Sequence, residues 1–140
     1  MSIKHLKLSL LLLALLCTVS AAAQVTIVHN GKAKSRIVLT GEDPNDATAA
    51  KLLQDFVYRI SGAELQIVNG QDLKKLPSKN DIVIGNELTN KDYVNGSITE
   101  DGFRLCTNDG RLRIISGGDK GSIYGVVTLL ERYFGVDYWG

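Results

Sequence analysis

Three glycines close together, Gly117, Gly118 and Gly121 in the run ISGGDKGSIYG, are the residues here best able to hold a ligand. A glycine-rich turn between a strand and a helix presents backbone N–H groups, and those groups bind phosphate when the spacing suits it. A dinucleotide turn reads GxGxxG and needs an acidic residue at the end of the next strand; a mononucleotide loop reads GxxxxGK[ST]. Here the order is GGxxG, and Lys120-Gly121-Ser122 places the lysine before the last glycine instead of after it. The spacing therefore favours a tight strand-to-helix turn over a phosphate cradle, with Gly125 inside the helix letting it lie close to a strand.

The other reactive side chains are scattered. Hydrolysis of a glycosidic bond needs two carboxylates across one bond. Asp101, Asp109, Asp119 and Glu131 each have a simpler role: starting a strand, making a turn, capping a helix, and pairing with a neighbour or a following domain. His29 has no His, Cys or acidic partner at metal-ligand spacing. Cys106 reads as an inert, buried thiol, and with Cys17 removed in a leader it has no partner for a disulfide. Arg104 and Arg113 share one strand face and read as a solvated or interdomain surface ahead of an anion site. Lys74, Lys75 and Lys79 lack interleaved aromatics for stacking bases and read as a solvated loop. No catalytic residue, cofactor-binding residue or metal ligand is assigned.

Several elements position these residues. Residues 25–40 read as two strands about an Asn30-Gly31 turn. Residues 42–62 read as a helix: Asp43 as N-cap, Pro44 in the first turn, and Gly62 at the end. Ala49, Leu52, Leu53, Phe56, Val57 and Ile60 would form its apolar face. Short strands follow at 64–68 and 81–85, the second apolar enough to be buried on both faces. Asp109-Gly110 predicts a hairpin that sets Thr107 opposite Leu112, Leu105 opposite Ile114, and Phe103 opposite Ser116. A last helix, from Asp119 or Lys120 to Phe134, would bury Ile123, Val126, Val127, Leu130, Tyr133 and Phe134 and stop at Gly135.

The first residues look like an export leader. Lys4 and Lys7 precede an apolar run, Leu8 to Val19, and Ala21 and Ala23 supply a cleavage site before Gln24. The run is shorter than the roughly 20 residues a helix needs to cross a bilayer. Leu16 is a poor residue before a lipidated cysteine, so a lipoprotein anchored at Cys17 is the weaker reading. The expected division is a signal peptide over 1–23 and one domain over 24–140, periplasmic or extracellular. A formal charge of +1 asks for neither nucleic acid nor, after cleavage, a membrane. Asn95-Gly96-Ser97 matches a glycosylation sequon, of consequence only in a host that glycosylates exported chains.

Residues 101–139 resemble the N-terminal α/β domain of family 67 α-glucuronidases and the non-catalytic domain that precedes the barrel in family 20 β-N-acetylhexosaminidases. Gly117, Gly118, Gly121, Tyr124, Gly125, Leu130, Glu131, Gly135 and Trp139 fill the pattern, and Lys120 stands where arginine is commoner. The resemblance implies an α+β fold, a mixed and largely antiparallel sheet with two helices packed on one face, beside a downstream catalytic (β/α)8 barrel. It places the catalytic carboxylates in that barrel, so none is carried over to this chain. The expected function is that of an accessory, non-catalytic domain of an exported glycoside hydrolase acting on polysaccharide or oligosaccharide glycans, with this chain a fragment of the parent. The alternative is a stand-alone exported carbohydrate-binding module using Tyr93, Tyr138 and Trp139.

Overall fold

The computed structural model describes residues 25–72, 79–86 and 98–135. The leader, Lys74, Lys75, Tyr93, the sequon, Tyr138 and Trp139 lie outside the described residues. No helix among the described residues is long and apolar enough to cross a membrane.

Asn30 (φ 50°) and Gly31 (φ 72°) turn the chain between β1 (Val28–His29) and β2 (Lys32–Ala33), which pair antiparallel. The expected hairpin is therefore present but short. Its second arm is Lys32–Ala33, and the β-branched run beyond it, β3 (Ile37–Leu39), joins the main sheet instead.

Helix α1 (Pro44–Ser61) starts where the Asp43 carboxylate accepts the Asn45 N–H at 2.9 Å. It stops where Gly62, at φ 75°, donates to the Tyr58 carbonyl at 2.8 Å. Both ends follow ordinary capping chemistry. Asp46, Ala49, Ala50, Leu53 and Val57 are buried. Ile60 is 51 % exposed, because the last turn of the helix overhangs the sheet, and so it leaves the expected apolar face. On the wet side Lys51 and Asp55 pair at 3.3 Å.

β4 (Ile67–Asn69), β5 (Ile82–Asn86), β6 (Phe103–Asn108) and β7 (Arg111–Ser116) complete a five-stranded sheet in the order β4-β3-β5-β7-β6. The β6–β7 hairpin turns at Asp109 (φ 50°) and Gly110 (φ 72°), with the register the Asp-Gly signal predicts: Thr107 opposite Leu112, Leu105 opposite Ile114, Phe103 opposite Ser116. The mixed α+β class is as expected. The balance of strand directions is not: β4–β3, β3–β5 and β5–β7 are all parallel, and antiparallel pairing among the described residues is confined to β6–β7 and the small β1–β2 ribbon. The reason is connectivity. Helix α1 links β3 to β4 as a crossover, which returns the chain in the same direction.

The last helix, α2 (Gly121–Tyr133), packs beside α1 on the same sheet face. Ile37, Ile82, Ile84, Leu112 and Ile114 from the sheet meet Ala49, Leu53, Val57, Val126, Leu129 and Leu130 from the helices in one core. The buried stripe of α2 is Ser122, Gly125, Val126, Leu129 and Leu130, with Ile123 and Phe134 partly buried. Tyr133 is 73 % exposed, a correction to the expected face with the same origin as Ile60: it sits in the final turn. Gly135, at φ 67°, follows the helix end. Val38, Val83 and Ile115, on the opposite sheet face, are also buried, so β5 is covered on both sides as its sequence predicts.

Candidate functional site

The glycine turn is packed, not open. Gly117 donates to the Gly102 carbonyl at 2.9 Å. A β-carbon on Gly117 would lie 2.0 Å from the Thr99 carbonyl oxygen, and one on Gly121 would lie 2.1 Å from the Gly102 oxygen. A β-carbon on Gly118, at φ 129°, would meet nothing within 4 Å, so glycine is needed there for its backbone angle. The glycines thus let residues 98–102 lie against the turn. Gly125 plays the expected packing role, since a β-carbon there would approach Ile114 Cγ2 to 2.7 Å.

The position a phosphate would take is also occupied. The start of α2 is where backbone N–H groups attract an anion, and there the Asp101 carboxylate already accepts the Lys120 N–H at 3.1 Å. The expected cap was Asp119. It instead has a left-handed backbone (φ 41°), and Lys120, the residue at the cap position, has no side-chain cap bond. Asp101, itself at φ 61°, caps the helix from nineteen residues away in place of starting a strand. We predict that Asp101→Ala lowers stability by about 1–2 kcal/mol, through the lost cap and the strained left-handed alanine, whereas Asp101→Asn stays within about 1 kcal/mol of the parent. Urea unfolding followed by circular dichroism measures both.

The other candidate residues do not converge. His29 is exposed on β1 and touches Asn30, Asp109 makes its turn, and Glu131 is exposed with no ion pair among the described residues. No group of three or more His, Cys, Asp or Glu with metal-binding geometry occurs among the described residues. Arg113 corrects the expectation of a solvated strand face: it is 3 % exposed, in a cross-strand row with Val38, Val83 and Cys106. Cys106 is half-buried. Burial pushes its thiol above the usual range, and Arg113 and Arg104 pull the other way without overcoming it. Alkylation of Cys106 by iodoacetamide at neutral pH, read from the mass of its peptide, should therefore be slower in the folded chain than in denaturant.

The described residues also form surface grooves. A mainly apolar groove of about 490 Å³ lies between the edge strand β6 and the end of α2, lined by Val25, Ile27, Leu105, Leu112, Leu129 and Phe134 among others. A smaller one, about 180 Å³, runs along α1 beside Tyr58, with Lys51, Gln54, Asp55 and Glu64. Neither brings together a nucleophile, a general base and an oxyanion donor, the set acyl transfer uses, and of the two carboxylates beside the smaller groove, Asp55 is paired with Lys51. A feature the sequence does not signal is a buried polar contact between the helix starts, where the Asp46 carboxyl faces Ser122. Asp46 reads from the sequence only as an acidic first-turn residue.

No protein-family model and no curated protein matches this chain. Among solved structures it is similar to a family GH115 4-O-methyl-α-glucuronidase with specificity for decorated arabinogalactans: 20 % identity and a TM-score of 0.55 over 76 % of this chain and 14 % of that one. It is also similar to a GH138 enzyme targeting pectin rhamnogalacturonan II, at 17 % identity and a TM-score of 0.44 over 75 % of this chain and 11 % of that one. This chain therefore spans only 14 % of the first enzyme's length. At such identity the likeness is one of fold alone, to a small part of that enzyme.

Proposed function

We propose that this chain is the accessory, non-catalytic N-terminal domain of an exported glycoside hydrolase, carrying a signal peptide over 1–23 and followed in the parent protein by a catalytic (β/α)8 barrel. The observation that carries the reading is the fold likeness to one small part of a much larger glucuronidase. The run from Gly117 to Gly135 supports it through its resemblance to the equivalent turn and helix in families 67 and 20. The mainly apolar groove supports it as well. Val25 and Phe134, at the two ends of the described domain, both line it, so a domain joined after α2 has an apolar surface to rest on beside its point of attachment. On this reading the chain positions a catalytic domain and takes no part in breaking the glycosidic bond.

The test is the coding sequence that follows the Gly140 codon at the genomic locus. An open frame encoding a barrel with a pair of carboxylates at its strand ends supports the proposal, and a stop codon directly after Gly140 overturns it. The carbohydrate-binding alternative has one structural observation in its favour: Tyr58, 57 % exposed, beside the small polar groove on α1. Binding of the purified chain to a glycan array, lost in Tyr58→Ala, would move the assignment to that reading.

A further inference from the structure

The first turns of α1 and α2 meet around side chains that do not suit an ordinary core. Asp46 is 2 % exposed, Ser122 0 % and Ser116 1 %. Asp46 Oδ1, Ser122 Oγ and Ser116 Oγ are each buried without a hydrogen-bond partner of ordinary geometry, although the Asp46 carboxyl faces the Ser122 hydroxyl. Ser116 stands at the end of β7, its Cβ 3.0 Å from where a β-carbon on Gly121 would be. Most buried polar groups in proteins are satisfied, so two that face each other between the helices, with a third at the end of the adjoining strand β7, call for a physical account.

The surroundings of Asp46 favour its neutral form. The strands beneath α1 offer Ile37, Leu39, Ile82 and Ile84, all apolar. From α2 the facing group is the Ser122 hydroxyl; from the start of α1 itself it is the Asp43 carboxylate. No lysine, arginine or histidine among the described residues forms an ion pair with Asp46. Burial pushes the Asp46 carboxyl above the usual aspartate range; Ser122 opposes this, and Asp43 adds to the push. The positive end of α1 favours the anion but is a fractional charge, whereas desolvation acts on the whole carboxylate. An ionised carboxylate only accepts hydrogen bonds, whereas a protonated one also supplies a donor to a hydroxyl.

We propose that the contact between the first turns of α1 and α2 is a pH-sensitive latch, in which Asp46 carries a proton and shares it with Ser122, and in which ionising Asp46 loosens the two helices. The proton leaves to solvent, and the carboxylate left behind is a buried charge without a cation among the described residues. Because its affinity for a proton is higher in the folded than in the unfolded chain, Asp46 contributes stability that is full below the ordinary aspartate range. That stability is lost as the pH rises through the folded-state titration. The latch holds the base of the glycine turn, since Gly121 and Ser122 are the first two residues of α2.

The experiment uses the full chain. The Asp46 side-chain carboxyl resonance is followed by carbon NMR from about pH 3 to about pH 8, and denaturant unfolding of the parent and Asp46→Asn is measured across the same range. The expected results are a titration above the ordinary aspartate range and a folding equilibrium constant that falls several-fold relative to Asp46→Asn as the pH rises. Asp43→Asn, which keeps a capping side chain, should move the Asp46 titration downward, a response that a purely structural role would not give. A carboxyl that titrates in the ordinary range, or parallel stability profiles for parent and variant, overturns the proposal. If Asp46→Asn does not fold, the parent's own resonance still decides.

Discussion

Alanine at Gly117 or Gly121 is expected to cost this fold about 3 kcal/mol or more, at the upper end of what overpacking does. The geometry sets the size. The added carbon would stand 2.0 Å from the Thr99 carbonyl oxygen in one case and 2.1 Å from the Gly102 oxygen in the other. Both obstacles are backbone, so no side-chain rotation relieves them. Relief requires residues 98–102 to move away, which breaks the Gly117 to Gly102 hydrogen bond and takes the Asp101 carboxylate off the start of α2. A domain of this size has about 5–15 kcal/mol in all. Gly118→Ala is the internal comparison: φ is 129° but no atom lies within 4 Å, so its cost is backbone strain alone, about 1–3 kcal/mol. Urea unfolding of the three variants should rank Gly117 and Gly121 together, above Gly118. Equal costs at all three would mean that the 98–102 segment does not rest on the turn.

That comparison also marks what could be read from the residues alone. Local signals were legible. Asp43, Pro44 and Gly62 delimit α1, and Asp109-Gly110 fixes the β6–β7 register, because each acts over a few residues. The glycines announced a turn but not its packing partner, since Gly102 and Asp101 lie far from them in sequence and nothing in the spacing points there. Strand direction was likewise hidden. The apolar run of β5 reads the same beside a parallel or an antiparallel neighbour, and the turns at Asn30-Gly31 and Asp109-Gly110 weighted the expectation toward antiparallel pairing. Ile60 and Tyr133 fit a helical period yet are exposed, because periodicity says which face a residue is on and not how far the sheet beneath extends. The polar contact at Asp46 was invisible for a related reason: acidic residues are common in first helical turns, and only the approach of α2 turns this one into a buried group.

Removing the Arg36 guanidinium should have the second large effect. Arg36 Nε donates to Asp81 Oδ1 at 3.1 Å and its Nη2 to Oδ2 at 2.7 Å, a two-pronged pair. Asp81 is 2 % exposed and the Arg36 side chain 34 %, so the two ends are not equivalent. Arg36→Ala takes a two-pronged cation away from a buried carboxylate, at a cost of about 2–4 kcal/mol once the partial exposure of the arginine is allowed for. Asp81→Ala leaves a cation that can turn to water and should cost less. Arg36→Lys loses the fork and falls between the parent and Arg36→Ala. The pair stands just before β3 and β5, where the Ile82 N–H meets the Arg36 carbonyl at 2.8 Å and the Leu112 N–H meets the Asp81 carbonyl at 3.1 Å. Parallel strands have no tight turn to fix their alignment, and a slip of one residue would send Ile37 and Ile82 to the wrong face. The pair therefore specifies register as well as adding stability. Replacing both partners with apolar residues, Arg36→Met with Asp81→Leu, should recover most of the stability lost in Arg36→Ala while broadening the amide spectrum of β3 and β5 by NMR. A double variant as well ordered as the parent would show that the apolar pattern aligns these strands unaided.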